Sequence, residues 1–256
     1  MKSLIAGLAL TVFAVGSAFA QPSKPTIALV HGAFADTSSW NSVIKILQGD
    51  GYTVVAVANP LRSVKSDADY TRTVLATIKS PIVLVGHSYG GMVISNAANG
   101  DANVRALVFV AAFAPEAGEA AFELSGKFPG SVLGPALAAP VPLPDGGNDL
   151  YIQQDKVHDA FAQDLPEPAA KLVAATQRPI TDTAGNERAI EPAWKTKPSW
   201  FVYGDQDRAI PPQAHAFMAK RAHPRNTVVV KGASHVVMVS HPDVVAKVIE
   251  DAAIAR

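Results

Sequence analysis

Gly86-His87-Ser88-Tyr89-Gly90 places a serine directly after the apolar run Ile82-Val83-Leu84-Val85. A strand that turns abruptly into a helix at a serine pushes the hydroxyl out of the sheet on a strained bend, and flanking glycines let the backbone make that bend. The following residues, Gly91 to Ala98, read as that helix, whose unpaired first amides suit a developing negative charge. The pattern alone also fits a simple tight turn; the strand before it and the helix after it favour a nucleophile.

A serine hydroxyl is a poor nucleophile at neutral pH and needs a base beside it. A histidine serves, and a carboxylate on the far side of its ring holds the tautomer and stabilises the imidazolium. Around such a turn the order along the chain is serine, acid, histidine, each on a loop at the C-terminal end of a strand. His235, in Gly232-Ala233-Ser234-His235, follows the last strand signal and precedes the final helix, so it is the candidate base. His241 begins that helix and reads as a cap or decoration. His158, His215 and His223 read as solvated or structural, and His87 as packing, with its ring turned away from Ser88. In Tyr203-Gly204-Asp205-Gln206-Asp207 either aspartate could reach the histidine. Asp205 suits a turn cap, whereas Asp207 sits deeper in the loop, before Ile210-Pro211-Pro212, and spacing favours it. Glu116 and Asp182 read as surface charges. Two amides should receive the oxyanion: Tyr89 N–H, next to the nucleophile, and Ala33 N–H, in the His31-Gly32-Ala33 loop after the first strand. The alternative for that loop is an ordinary strand-ending turn.

These residues need a scaffold, and the chain carries the pattern of one. Short β-branched runs alternate with amphipathic stretches, which implies a mostly parallel, doubly wound α/β sheet covered by helices. Strands are predicted at Thr26–Val30, Thr53–Val57, Ile82–Val85, Val104–Val110, Ser199–Tyr203 and Thr227–Val230. Helices are predicted from Ser38 to Gln48, Asp67 to Ile78 (capped by Ser66 or Asp67), Gln213 to Arg221 and Asp243 to Ala253. From about Ala114 to Pro198 the rhythm breaks into proline-, glycine- and alanine-rich sequence with helical pieces near Ile152–Gln163 and Glu167–Gln177. An insertion without strand signals between two sheet strands reads as a largely helical or irregular lid. Phe34, in the loop after the first strand, and Phe113 and Trp194, at and within the lid, are candidates for the substrate pocket; Phe122, Phe128, Leu133, Tyr151 and Phe161 either join them or pack the lid itself.

Composition narrows the function. The 256 residues hold 22 Lys and Arg against 22 Asp and Glu, a formal net charge of zero without basic clusters, which argues against a nucleic-acid or anionic-membrane partner. With no cysteine, a thiol nucleophile, a thiolate metal site and disulfides are excluded. The scattered histidines form no H-x-x-x-H pair, so neither a metal nor a cofactor is implied. Residues 1–20 carry Lys2, an apolar core from Leu4 to Val15 and the small-x-small site Ala18-Phe19-Ala20, the features of a secretory signal peptide. An α/β domain from residue 21 to 256, exported to a periplasm or the medium, is the expectation; a retained N-terminal anchor is the alternative. The oligomeric state leaves no mark in the sequence.

From Thr26 onward the chain resembles an α/β-hydrolase. It is most similar to the esterase group that includes plant salicylate methylesterases and hydroxynitrile lyases, with their bacterial relatives. The resemblance rests on Leu29-Val30-His31-Gly32-Ala33, Trp40, Val85-Gly86-His87-Ser88-Tyr89-Gly90-Gly91, Asp207-Arg208-Ala209-Ile210-Pro211 and His235-Val236-Val237-Met238. It is weak in the lid. The family's acid lies just before the basic-small-Ile-Pro run, which implies Asp207 over Asp205. Hydroxynitrile lyases of the group carry threonine where Gly32 stands and lysine where Val236 stands, so the resemblance does not imply lyase chemistry. The serine at the elbow argues against dehalogenases and epoxide hydrolases, which use aspartate there. The expectation is therefore a carboxylesterase-type serine hydrolase for a small ester or lactone. A cofactor-free perhydrolase or haloperoxidase-like enzyme, using the same residues with peroxide, and a non-catalytic ligand-binding homologue are the alternatives.

Overall fold

The computed structural model describes residues 24–144 and 146–255. The signal-peptide reading falls on residues outside that range. Among the described residues there are nine strands: β1 (Thr26–Val30), β2 (Val54–Val57), β3 (Ile82–His87), β4 (Val104–Val110), β5 (Val141–Pro142), β6 (Asn148–Leu150), β7 (Ile180–Thr181), β8 (Ser199–Gly204) and β9 (Asn226–Val230). Six of them form one sheet in the order β2-β1-β3-β4-β8-β9, every pair parallel. β3 and β8 are buried throughout, as strands covered on both faces must be, which is why they read as unbroken apolar runs rather than alternating ones.

The helices are α1 (Asn41–Gly49), α2 (Val64–Leu75), α3 (Gly90–Ala97), α4 (Ala121–Gly126), α5 (Leu133–Ala136), α6 (Val157–Phe161), α7 (Glu167–Thr176), α8 (Asp182–Asn186), α9 (Pro212–Ala222), α10 (Val237–Ser240) and α11 (Pro242–Ile254). From β1 the chain runs outward to β2, then crosses back past β1 to β3. Right-handed crossovers therefore put α1 and α2 on opposite faces. α11 joins α1 on its face and α3 packs with α2 on the other.

Two departures from the sequence reading concern the site. Helix α2 starts three residues early: Ser63, not Ser66 or Asp67, is its cap, the Ser63 Oγ accepting the Ser66 amide at 3.0 Å. The buried stripe Val64, Ala68, Thr71, Leu75 runs at helical spacing and includes Asp67, a charged residue that hid the start of the pattern. The segment between β4 and β8 does contain strands. β5, β6 and β7 form a small antiparallel sheet, with only two or three residues each, below the length at which alternation is readable.

Parallel register gathers the chemistry at one edge. Val30 pairs with Gly86, His87 with Val110, Val110 with Val202 and Gly204 with Val230, so the loops leaving β1, β3, β8 and β9 all emerge at the C-terminal end. The strand order reverses between β1 and β3, where doubly wound sheets leave a crevice for ligands.

Candidate active site

Ser88 sits in that crevice with φ at +53°, a left-handed conformation that a non-glycine residue adopts only where its surroundings enforce it. They do so here: its amide donates to Val110 O at 3.3 Å, and its carbonyl accepts Gly91 N–H at 2.9 Å and Phe113 N–H at 3.1 Å. Helix α3 leaves β3 so tightly that a methyl group on Gly90 would lie 2.5 Å from the Val30 carbonyl oxygen. Gly32 is constrained from the other side, since a Cβ there would stand 2.6 Å from Ser88 Cβ and 2.7 Å from His87 O. On this backbone a side chain at position 32 would therefore force the loop after β1 or the serine turn to shift.

The structure brings Ser88, His235 and Asp207 together. His235 Nδ1 lies 2.7 Å from Asp207 Oδ2 and its Nε2 lies 2.8 Å from Ser88 Oγ. An ionised carboxylate only accepts, so Nδ1 carries the proton and Nε2 presents its lone pair to the hydroxyl. All three residues are buried. Burial alone would raise the Asp207 carboxyl pKa, but His235 and His215 outweigh it and hold the group well below the usual carboxylate range. Its other oxygen, Oδ1, accepts the amides of Ala209 and Ile210, each at 2.9 Å. Asp205 turns elsewhere and accepts the Gly232 amide at 2.6 Å, tying two loops of this edge together.

Ala33 and Tyr89 both line the space in front of Ser88, and among the described residues neither amide donates to a protein acceptor. The neighbouring Phe34 amide is spent on Arg178 O at 2.9 Å. The Tyr89 side chain points the other way, donating to Asp67 Oδ2 at 2.9 Å beneath the elbow.

His87 does more than fill space. Its Nε2–H donates to the backbone carbonyl of His235 at 3.1 Å, and the two rings lie 4.9 Å apart. Burial, before the neighbouring His235, drives its pKa well below normal, so it remains neutral. Of the two alternatives read for His215, solvated or structural, the structure excludes the first: it is 1 % exposed, and its Nε2 lies 3.0 Å from Asp207 Oδ2, a contact the sequence reading did not foresee. The signal was available in the buried stripe Ala214, His215, Met218, Ala219, Ala222 of α9, which puts residue 215 on the face turned to the sheet. Asp207, His215 and His235 are also a grouping with metal-ligand proximity, their nearest atoms lying within 4.8 Å of one another. The imidazole nitrogens that face Oδ2, however, are the ones that carry protons.

The remaining histidines stay outside this cluster. His158 bonds the Leu165 carbonyl at 2.9 Å, His223 closes α9 in a left-handed conformation, and His241 occupies the N-cap position of α11 without a side-chain cap bond. Glu116 and Asp182 pair locally, with Lys195 and Asn148.

A narrow cavity leads from Ser88 and is walled by Phe34, Phe113, Phe122, Leu133, Phe161 and Ile180. It adjoins an open groove of about 320 Å³ that shares Phe34, Phe122, Ser125 and Leu133. Trp194 does not line it: the indole donates to Pro115 O at 2.7 Å and borders a separate surface cleft beside Lys195 and Arg221. Phe128 packs on Phe217 instead. A wider cleft, between Pro25, Arg105 and Trp200, lies at the opposite, N-terminal end of the strands and has no nucleophile among the described residues that line it.

The alpha/beta hydrolase family profile matches residues 27–248. The chain belongs to this family. Among curated relatives, this alpha/beta hydrolase is 27% identical to the "Alpha/beta hydrolase nvfD" of Aspergillus novofumigatus over 250 residues, 90% of this chain and 97% of that protein. It is 25% identical to the "Alpha-hydroxynitrile lyase" of Arabidopsis thaliana over 241 residues, 86% and 93% of the two chains. Among solved structures, polyneuridine aldehyde esterase superposes with a TM-score of 0.77 at 20% identity, covering 90% of this chain and 99% of the other. The resemblance read from the sequence thus holds for the superfamily, and a hydroxynitrile lyase is among the relatives it matches.

Proposed function

We propose that this alpha/beta hydrolase is an exported serine carboxylesterase that cleaves small apolar or aromatic esters or lactones through an acyl-enzyme on Ser88. The observation that carries the reading is the 2.8 Å contact between Ser88 Oγ and the unprotonated Nε2 of His235, backed by Asp207 at 2.7 Å. Ser88 Oγ attacks the ester carbonyl as its proton passes to His235 Nε2, and Asp207 stabilises the resulting imidazolium. The tetrahedral oxyanion is received by the Ala33 and Tyr89 amides. His235 returns the proton to the departing alkoxide, and the C–O bond to the alcohol breaks. Water, deprotonated by the same nitrogen, then attacks the acyl group and releases Ser88.

The apolar wall of the cavity supports an uncharged acyl or aryl group, because a buried charge there would meet no partner. The apolar N-terminal segment and its small-residue cleavage site support export. Similarity to a hydroxynitrile lyase does not carry cyanide chemistry to this chain. The residue after His235 is Val236, buried and apolar, and it offers no cation to a departing cyanide.

Labelling by a fluorophosphonate probe and hydrolysis of p-nitrophenyl butyrate test the reading. The parent protein should react with the probe, and Ser88→Ala should lose labelling and about 10⁴-fold or more of turnover with its fold intact. A folded Ser88→Ala protein that still hydrolyses the ester would refute it. An unlabelled, inactive parent would favour a binding protein on a hydrolase shell.

A further inference from the structure

Asp207 serves two imidazoles. Its Oδ1 is saturated by two backbone amides, and its Oδ2 faces both His235 Nδ1 at 2.7 Å and His215 Nε2 at 3.0 Å. Both nitrogens meet a carboxylate that can only accept, so both are N–H donors. His215 arrives from the first turn of α9, eight residues after the acid. It lies flat on the Tyr203 ring, with centroids 4.7 Å apart and planes 19° apart. Its other nitrogen, Nδ1, is buried and has no partner among the described residues, which fixes the ring as a neutral, single-donor imidazole turned wholly toward Asp207. No step of the esterase mechanism uses it.

We propose that His215 is a positioning residue for the Ser88–His235 pair: its N–H pins the Asp207 oxygen that orients His235 and takes a share of that oxygen's charge from the imidazolium. The proposal rests on the esterase reading for its kinetic consequences, but its geometric content stands apart from it. Two donors on one oxygen divide its negative charge, so each is held less strongly than it would be alone. Removing the His215 N–H has two opposed effects. The carboxylate is freer to rotate, which misaligns His235 and slows attack. The imidazolium gains the full charge of Oδ2, which raises the pH at which His235 protonates.

Few other groups can confuse the readout. On the β3 side His87 faces His235 and is held neutral by burial. From α6, Phe161 presents an apolar ring at 4.9 Å. At the end of β8 is Tyr203, whose phenol pKa burial raises further. Arg208, next to the acid, turns outward to Asp159 at 2.5 Å, and Asp164 accepts the Ser234 amide at 3.1 Å.

The test uses the full chain and four proteins: parent, His215→Phe, His215→Leu and His215→Gln. Phe keeps a ring on Tyr203 without a donor, Leu matches the imidazole in bulk without a donor, and Gln keeps an N–H close to the position of Nε2. Fluorophosphonate labelling of Ser88 is followed against pH. His235 is titrated in parallel by ring ¹³C NMR, which needs no substrate and no activity. Whichever donorless variant folds should show the His235 midpoint moved up by on the order of half a pH unit. Labelling on the plateau should slow roughly 3- to 10-fold, with KM for p-nitrophenyl butyrate unchanged. His215→Gln should restore the parent midpoint and a rate within about twofold. A donorless variant whose His235 midpoint equals the parent's overturns the proposal, whatever its rate or stability. So does a Gln variant displaced as far as the donorless ones. Failure of the parent to label condemns the esterase reading instead, and the NMR titration still decides the role of His215.

Discussion

The Asp207 carboxylate accepts four N–H groups, two on each oxygen, and this saturation makes its replacement by asparagine informative. An amide turned toward His235 presents its NH₂ to Nδ1, which forces the proton onto Nε2 and leaves Ser88 facing a donor. Asp207→Asn should therefore keep the fold and lose about 10⁴-fold in kcat, with little change in KM. Labelling and turnover measured side by side check this; a loss of under tenfold would mean that the acid does not set the tautomer. At this scale much of the site was legible. Ser88 is announced by its strand and glycines, and His235 by its place between the last strand and the last helix. Spacing favoured Asp207 over Asp205 and the family resemblance implied it, and the structure gives Asp205 a different task, accepting the Gly232 amide. His215 was missed because a histidine on a helix carries no motif. Only its phase among Ala214, Met218 and Ala222 shows that it faces inward.

Helix α2 and the elbow illustrate what elements contribute. Tyr89 supplies an amide to the space before Ser88 and a hydroxyl to Asp67, two functions on opposite sides of one residue. Asp67 is buried, and burial pushes its carboxyl pKa up despite bonds from the Arg62 amide and the Tyr89 hydroxyl. Tyr89→Phe strips one of those donors and leaves the amide in place. It should cost about 1–3 kcal/mol of stability by urea unfolding while Ser88 labelling stays within a few-fold of parent. A variant as stable as the parent but unlabelled would assign the side chain a direct part in the chemistry. Asp67 as a helix cap was the wrong sequence reading for an instructive reason. An acid near a helix start looks like a cap, and only the tertiary partner, Tyr89, reveals why it sits on the buried stripe. The short strands β5 to β7 were illegible for the same reason, since they exist through pairing across the insertion rather than through local pattern. The insertion is also fastened to the core beside α2. Arg62 bonds Asp149 at 2.7 Å and Pro179 O at 3.1 Å, and Thr181 Oγ1 donates to Arg62 O at 2.6 Å.

Across the whole molecule, lacking disulfides and net charge, stability rests on burial, and burial has enclosed three neutral imidazoles besides that of His235. His31, His87 and His215 are each at most 1 % exposed, and desolvation lowers the pKa of each. In the unfolded chain these histidines take up protons below about pH 6.5, whereas in the folded protein they resist doing so. The unfolded state therefore binds more protons in that window, and stability rises with pH through it. Their contribution is complete above about pH 6.5 and is lost as pH falls below it, at up to about 1.4 kcal/mol per pH unit for each group. Asp207 acts later and in the same direction. Its folded pKa lies below its unfolded one, so its contribution erodes only once pH falls through about 4. Urea midpoints should accordingly be flat from pH 8 to 7 and decline steadily from pH 6.5 to 5, well before carboxylates titrate. His87→Gln separates this from general acid sensitivity. It keeps an N–H for the His235 carbonyl but cannot take up a proton, so the slope between pH 6.5 and 5 should fall by about one proton's worth. If the Gln variant keeps the parent slope, the acid-labile element lies elsewhere than in the imidazole packed against His235.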